Sequence, residues 1–392
     1  MLDFPAPDAD ALEQSSRLVA LMRDEIAAFG GWMPFYRYME LALHAPGLGY
    51  YAGGMSKFGA GGDFVTAPEL TPLFGQALAA QAGEIMRASA RDMIEVGAGS
   101  GHLAADLLLE LERRDCLPER YGILELSAEL RARQREMLAR RIPRLAARVH
   151  WLDTLPETFS GVVVANEVLD AMPLHVIAVR DGTIFERGVA LAASDAARAF
   201  VWADRPARGA VLDAALRLPL PPGDGVGGEY VTEINLAAAA WISAWSGRLR
   251  KGAMLLIDYG YPRDEFYLPS RACGTLMCHY RHRAHDDPFL WPGLADVTGS
   301  VDFTAMAEAG FDAGLDVLGY ASQGQFLLNC GLLDCLARRG PQDSADYIRA
   351  AGAVQRLTLP REMGEVFKVL ALGRGIDAPL LGFASGDRTH AL

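Results

Sequence analysis

Short apolar runs recur along the chain, and each closes on a polar or acidic residue. Met93-Ile-Glu-Val96 carries Glu95 and runs into glycines. Tyr121-Gly-Ile-Leu124 ends at Glu125. Arg148-Val-His-Trp-Leu152 ends at Asp153, Val162-Val-Val-Ala165 at Asn166-Glu167, and Ala253-Met-Leu-Leu-Ile257 at Asp258-Tyr259-Gly260. Runs of this length read as buried strands, and most are separated by helical patterns, the first being Leu103 to Leu111. Strand–helix alternation predicts an α/β fold with a parallel sheet and a ligand crevice at the strand C-termini. Elsewhere the pattern predicts an amphipathic helix over 8–30 that stops at Gly30-Gly31, and a second helix from Pro34 to His44. A hairpin is expected across His175–Val179 and Thr183–Val189 around Asp181-Gly182. Leu216–Gly228 reads as a loop and Thr232 to Arg250 as one long helix, with Ile234, Leu236, Trp241, Ile242 and Trp245 on its apolar face. Residues 260–301 read as irregular, 302–309 as helix, 314–320 as strand, Gln325 to Ala351 as mostly helix, and Phe367–Leu372 as a last strand.

The first strand carries the sharpest chemistry. Glu95-Val-Gly-Ala-Gly-Ser-Gly101 leads directly into a helix pattern. Gly97, Gly99 and Gly101, with Ala98 between, permit positive φ and let a ligand lie against bare peptide at a helix N-terminus. A dinucleotide loop needs a third glycine where His102 stands, so an NAD-dependent oxidoreductase is disfavoured. Acidic-x-Gly-x-Gly-x-Gly resembles motif I of class I S-adenosylmethionine-dependent methyltransferases, whose ligand carries cationic groups that Glu95 would suit. One strand–helix–strand unit later, Glu125 stands where a carboxylate accepts bonds from ribose hydroxyls, with Leu126 beside it. Asp153 falls on the adenine side. The glycine-rich stretch 58–72, with Asp63, Thr66, Pro68 and Glu69, suits a loop covering the cofactor or a plain connector.

Bulk properties narrow the partners. The chain has 392 residues, 51% of them hydrophobic, and a net charge of −12. That is enough apolar surface for one large domain with insertions, or for two. The acidic balance disfavours nucleic acid. No apolar run reaches transmembrane length. An acidic start without a basic leader and an odd count of five cysteines predict a reducing, cytoplasmic setting. Cys273, Cys278, His279, His282 and His285 match no zinc spacing, so no metal is expected.

Together several stretches resemble the MidA-like family of bacterial and mitochondrial methyltransferases, which includes the protein-arginine methyltransferase of respiratory complex I assembly. They are Tyr36–Glu40, His44–Tyr51, Gly62–Glu69 with Phe74-Gly75, Glu95–Gly101, Asn166–Pro173, Ile257–Gly260, Gly274–Leu276, Asp296–Thr298 and Val301–Phe303. The resemblance implies an α/β class I (Rossmann-like) methyltransferase core, a mostly parallel seven-stranded sheet with an N-terminal helical extension and a central insertion. Residues 1–90 would be the extension and covering loop, 91–172 and 251–392 the two halves of the core, and 173–250 an inserted substrate-side subdomain. It implies S-adenosyl-L-methionine as cofactor and, less directly, an arginine of a partner protein as acceptor. A non-catalytic assembly factor and a small-molecule methyltransferase stay open, as does a homo-oligomer.

An arginine acceptor is protonated and needs carboxylates to grip it and take its proton. Glu167 and Asp170 are the candidates after the fourth strand, sharing a side if Asn166 begins a helical turn. Asp170 would otherwise cap the segment before Pro173. Asn166, Asp258 and Tyr259 stand at the same crevice, Tyr259 as a ring face for the acceptor or as a core residue. His282 is a base, an orienting donor, or a structural histidine.

Overall fold

The computed structural model describes residues 4–53, 66–193, 198–223 and 228–392. They form two compact units. One comprises Val65–Leu169, Ala239–Gly260 and Phe303–Leu392 and is called here the core unit; the other comprises Met1–Phe64, Asp170–Ala238 and Tyr261–Asp302 and is called the accessory unit. The division differs from the one expected from sequence. The N-terminal extension, the central insertion and the segment after the fifth strand share one unit, while the residues just before the first core strand belong with the sheet.

The core unit is built on seven strands: β1 (Asp92–Val96), β2 (Arg120–Leu124), β3 (Val149–Leu152), β4 (Phe159–Asn166), β5 (Leu249–Tyr261), β6 (Asp316–Ser322) and β7 (Phe367–Arg374). Their order is 3-2-1-4-5-7-6. β1 to β5 are parallel, and β7 runs antiparallel to both β5 and β6. Such a sheet is covered on both faces, so its strands are apolar throughout. Val162, Val163 and Val164 of β4 and Ala253 to Leu256 of β5 are fully buried. Helix Pro72–Ala88 contributes Leu73, Phe74, Ala77, Leu78 and Ile85 to the apolar cluster that holds Val162, Val164, Ala253 and Leu255, together with Leu103, Leu107 and Leu108 of helix His102–Arg113. The order reverses beside β1, between β1 and β4, which places the crevice of a parallel sheet at the glycine loop.

The accessory unit holds an antiparallel sheet of Met33–Pro34, Thr183–Leu191, His175–Arg180 and Tyr230–Ile234, with Phe200–Pro206 paired to Thr183–Leu191. Asp181 and Gly182 both take positive φ, as the expected two-residue hairpin requires. Helices Ala9–Ala28 and Phe35–His44 supply Leu18, Met22, Ile26, Phe35, Tyr38 and Met39 to its own apolar cluster.

Two segments differ from the sequence pattern. Thr232 is not helical. Tyr230–Ile234 is a strand whose alternate residues Tyr230, Thr232 and Ile234 are buried, and the helix begins only at Leu236. Asn235 starts it, its Oδ1 accepting from the Ala238 N–H at 2.9 Å. Within 260–301, Met277–Tyr280, Arg283–His285 and Asp296–Thr298 form a three-stranded antiparallel sheet. Its strands are only three or four residues long, too short for periodicity to mark.

Gly161 of β4 lies opposite Gly252 of β5, with φ of 134° and 135°. A Cβ on Gly252 would sit 1.9 Å from the Gly161 carbonyl oxygen. Gly252→Ala is therefore expected to cost at least about 2 kcal/mol, because backbone must move on both strands. Denaturant unfolding checks it; an unchanged midpoint would show that the sheet absorbs the methyl.

Candidate cofactor and acceptor site

Gly97, Gly99 and Gly101 adopt φ of 64°, 53° and 85°. All three lie in the left-handed region that other residues enter only at a cost. Gly101 is the N-cap of helix His102–Arg113, so the free N–H groups of its first turn face the loop. A Cβ on Gly97 would stand 3.0 Å from Val168 Cγ2, and one on Gly101 2.9 Å from Met137 Cε. The turn is thus both strained for any side chain and hemmed in behind.

One buried side chain ties this turn to its neighbours. Gln134, on helix Ala128–Arg141, donates from Nε2 to the Gly99 carbonyl at 2.9 Å and to Glu125 Oε2 at 3.1 Å. Its Oε1 accepts from the Trp151 indole N–H at 2.8 Å. Sequence reasoning missed Gln134. The available signal was a glutamine on the apolar stripe Leu130, Gln134, Met137 and Leu138, where a polar group demands a partner. Arg131 was missed as well. It donates to the Glu125 carbonyl at 2.6 Å and the Leu152 carbonyl at 2.7 Å, and pairs with Asp153 at 2.5 Å. The ends of β2 and β3 are clamped by one guanidinium.

Glu125 closes β2. Its Oε1 accepts from the Ser127 N–H at 3.0 Å, and burial holds its pKa above the ordinary value. A carboxylate with two bonds still has lone pairs for a hydroxyl donor. Leu126 beside it is 79% exposed, more than any other large apolar side chain among the described residues. Asp153, in contrast, is 87% exposed and engaged by Arg131.

Glu95 is buried and accepts from the Tyr121 hydroxyl at 2.5 Å. Burial pushes its pKa up to about 7, the Tyr121 bond opposes this, and the Glu125 charge adds to it. Before β1, the short helix Ala67–Leu70 starts at Thr66, with Pro68 in its first turn. Its Glu69 Oε1 meets the Ser100 hydroxyl and lies 2.9 Å from His102 Nδ1. Burial would raise the Glu69 pKa, but the bonds to His102 and Ser100 bring it below its ordinary value. Glu69 is therefore joined to the glycine turn through Ser100 and His102, neither of which the sequence pattern marks as a site residue. Asp63 lies outside the described residues.

At the end of β4 the backbone turns sharply. Glu167 has φ of 53°, a left-handed value for a non-glycine residue. Its N–H donates to the Ile257 carbonyl at 2.9 Å. Asp258 fixes the next two residues: Oδ2 accepts from the Val168 and Leu169 N–H groups at 3.2 and 3.0 Å, and Oδ1 from the Tyr259 N–H at 2.9 Å. The expected helical turn from Asn166 does not form, because these amides bond to Asp258 rather than to preceding carbonyls. The shared helical side for Glu167 and Asp170 falls with it. Glu167 ends in the core unit and Asp170 opens the accessory unit. Asp258 acts as a brace for the Glu167 turn. Asn166 donates from Nδ2 to Glu167 Oε1 at 3.1 Å, and its buried Oδ1 has no partner among the described residues. Tyr259 packs edge-on against Phe367 with centroids 5.6 Å apart. His282 is exposed at the tip of a hairpin turn in the accessory unit, with φ of 61°.

A glycine cradle without Cβ atoms, an acid at the end of β2, an exposed leucine beside it and an orphaned carbonyl oxygen on Asn166 fit a nucleoside joined to an amino acid. Sheet order and site define a class I methyltransferase. The comparisons agree. Residues 75–321 match the family described as "Putative S-adenosyl-L-methionine-dependent methyltransferase", and the chain belongs to that family. A COG1565 superfamily protein of Burkholderia thailandensis, solved bound to S-adenosyl-homocysteine, is 52% identical with a TM-score of 0.94 over 100% of both chains. The Drosophila melanogaster protein arginine methyltransferase NDUFAF7 homolog is 27% identical over 96% of this chain and 91% of its own length. The Mus musculus protein arginine methyltransferase NDUFAF7 is 28% identical over 86% of this chain and 79% of its own. The chain is an S-adenosyl-L-methionine-dependent methyltransferase.

Two outcomes follow from the geometry. Gly99→Val puts a β-branched residue at a φ of 53° and is expected to weaken S-adenosyl-homocysteine binding at least about a hundredfold in calorimetric titration. Equal affinity in both proteins would move the cofactor elsewhere. Glu95 keeps its proton to about pH 7 when folded, against an ordinary 4.5. Its contribution therefore favours the folded state at low pH and is lost as pH rises through that window. Glu95→Gln, which removes the ionisation, is expected to raise the ligand-free melting point by at least about 3 °C at pH 8, the gain fading toward pH 5. A pH-independent difference would count against a buried titrating carboxyl.

Proposed function

We propose that this chain methylates an arginine side chain of a partner protein. The reading is supported by relatives named protein arginine methyltransferase across most of their length. The observation that carries it is Glu167. A non-glycine residue in the left-handed region costs on the order of 1–3 kcal/mol and persists only where its surroundings enforce it. Here the Ile257 carbonyl and the Asp258 carboxylate enforce it, and Asn166 holds one carboxylate oxygen. Strain maintained at the crevice edge of a methyltransferase sheet points to a side chain aimed for chemistry.

Bound S-adenosyl-L-methionine supplies an electrophilic methyl group. The chain must do the rest. A guanidinium nitrogen becomes a nucleophile as its N–H proton leaves, and the new N–CH3 bond forms as the sulfur–methyl bond breaks. Glu167 accepts that proton, and its negative charge holds the guanidinium in place beforehand. Asn166 orients the carboxylate, and Asp258 keeps the turn from relaxing. In-line alignment of acceptor and methyl provides much of the acceleration. The partner reading also suits an acidic chain that would attract a cationic segment. All five cysteines are free thiols, which supports a reducing compartment such as the cytoplasm.

Glu167→Gln is expected to bind S-adenosyl-homocysteine within about threefold of the parent while methyl transfer falls at least about a hundredfold. The assay follows labelled methyl into extract of cells lacking the chain, with hydrolysis to identify the modified amino acid. Label on arginine in the parent and none in the variant supports the reading. Label only on small molecules, or full turnover by the variant, overturns it.

A further inference from the structure

The accessory unit holds a second group of acids that the mechanism above does not use. Asp170 and Asp296 are 6% and 3% exposed. The Tyr51 hydroxyl donates to Asp296 Oδ1 at 3.0 Å. Burial, then the charges of Asp296 and Asp170, push the Tyr51 phenol well above its ordinary pKa, so both carboxylates lie within electrostatic reach of that oxygen. Tyr51 and His44 stack, with centroids 5.5 Å apart and planes 21° off parallel. Both rings are partly buried, and the two acids fully so. Burial, partly offset by a hydrogen bond to the Ala171 main chain, holds the His44 pKa below its ordinary value.

Thr298 supplies the independent observation. It is 3% exposed, and its Oγ1 has no hydrogen-bond partner among the described residues. Residues 296 and 298 are alternate positions of one strand, so the hydroxyl lies on the face that carries Asp296. The following residue, Gly299, donates its N–H to the Asp170 carbonyl at 3.1 Å, which sets Asp170 beside the same stretch. A buried hydroxyl left unpaired costs on the order of 1–3 kcal/mol and calls for a ligand that satisfies it.

We propose that His44, Tyr51, Asp170, Asp296 and Thr298 form, within the accessory unit, a subsite that takes a guanidinium group of the acceptor's arginine-bearing segment, a proposal that rests on the arginine reading above. A guanidinium is flat, stacks on aromatic faces and offers five N–H donors in a plane. The two acids supply acceptors of opposite charge, the Thr298 oxygen a further acceptor, and the Tyr51–His44 wall a face to lie against. An ammonium would use the acids and leave the wall without a planar partner. Nothing of this arrangement is needed to hold S-adenosyl-L-methionine, whose cradle lies in the core unit.

The test is titration of the full chain, saturated with S-adenosyl-homocysteine, with N-acetyl-L-arginine amide and with its neutral citrulline isostere. Binding of the arginine probe is expected to be at least about tenfold tighter than that of citrulline, one charge-assisted contact being worth that much. Asp296→Asn is expected to remove the preference. Because Asp296 also holds Tyr51, Thr298→Val serves as the second variant. It should weaken the arginine probe at least about threefold, leave S-adenosyl-homocysteine affinity unchanged, and keep or raise the melting point, since it deletes an unsatisfied hydroxyl. A purely structural Thr298 would instead lower the melting point and leave probe binding alone. Equal binding of arginine and citrulline by the parent, or unaltered arginine binding in both variants, overturns the subsite. Labelled extract separates the two readings. Arginine methylation undiminished in Thr298→Val and Asp296→Asn sinks the subsite and spares the function. Label on some other residue sinks the function, and the titration then decides on its own whether this cluster selects a guanidinium.

Discussion

The amide of Gln134 bonds at once to the glycine turn after β1, the acid that ends β2 and the indole on β3. Three strand ends are thereby referred to one fully buried side chain. This matters because the three glycines carry no side chains that could fix the turn, and Ser100 reaches out from it only through its hydroxyl to Glu69 and His102. Glycines at 97, 99 and 101 open a cradle, but glycine also loses the most conformational entropy on ordering. A loop that must be bare on the ligand side has to be held from behind. The Gly99 carbonyl is that handle, and Gln134 and Met137 fill the space behind the turn.

The same division between bare ligand surface and braced rear recurs at β4. Glu167 cannot stabilise its own left-handed backbone. Asp258 does so from the neighbouring strand by taking the amides of Val168 and Leu169, and the Ile257 carbonyl takes the amide of Glu167 itself. Charge follows a related logic. Buried Glu95 and Glu125 are both held above their ordinary pKa, chiefly by burial, while Glu69 is brought below its own by Ser100 and His102. Taking an acid out of water favours its neutral form, whereas the acid on the short leading helix has donors and a histidine that favour its charged form.

Much of the core was legible because its signals are local. An apolar run that meets Gly-x-Gly-x-Gly states strand, turn and helix in one decapeptide, and the observed φ values agree. The run ends at Glu125, Asp153, Asn166 and Asp258 likewise marked the carboxyl edge of the sheet. What escaped depends on contacts distant in sequence. Asp258 reads as a pocket acid until its oxygens are seen on amides about 90 residues earlier. Gln134 reads as one polar residue among many on an arginine-rich helix. The accessory unit draws on three separate stretches of chain, so no window of sequence displays it. Thr232 was misassigned for a different reason: an apolar strand running directly into an apolar helix has no break in hydrophobicity, and only Asn235 marks the boundary.

The segment from Asn166 to Asp170 gathers these threads. Asn166 closes a core strand, Glu167 is strained, Val168 backs Gly97, and the amides of Val168 and Leu169 are bonded to Asp258. Asp170 then begins the other unit. A helix there would have satisfied the same amides without strain, so the turn is retained at a cost. What the turn secures is three different tasks for adjacent residues: an orphaned amide oxygen, a carboxylate steadied by its neighbour, and a side chain that limits what can stand at the first glycine. A helical segment repeats one environment every third or fourth residue. Only an irregular turn, clamped from outside, can give consecutive residues separate duties at the carboxyl edge of the sheet.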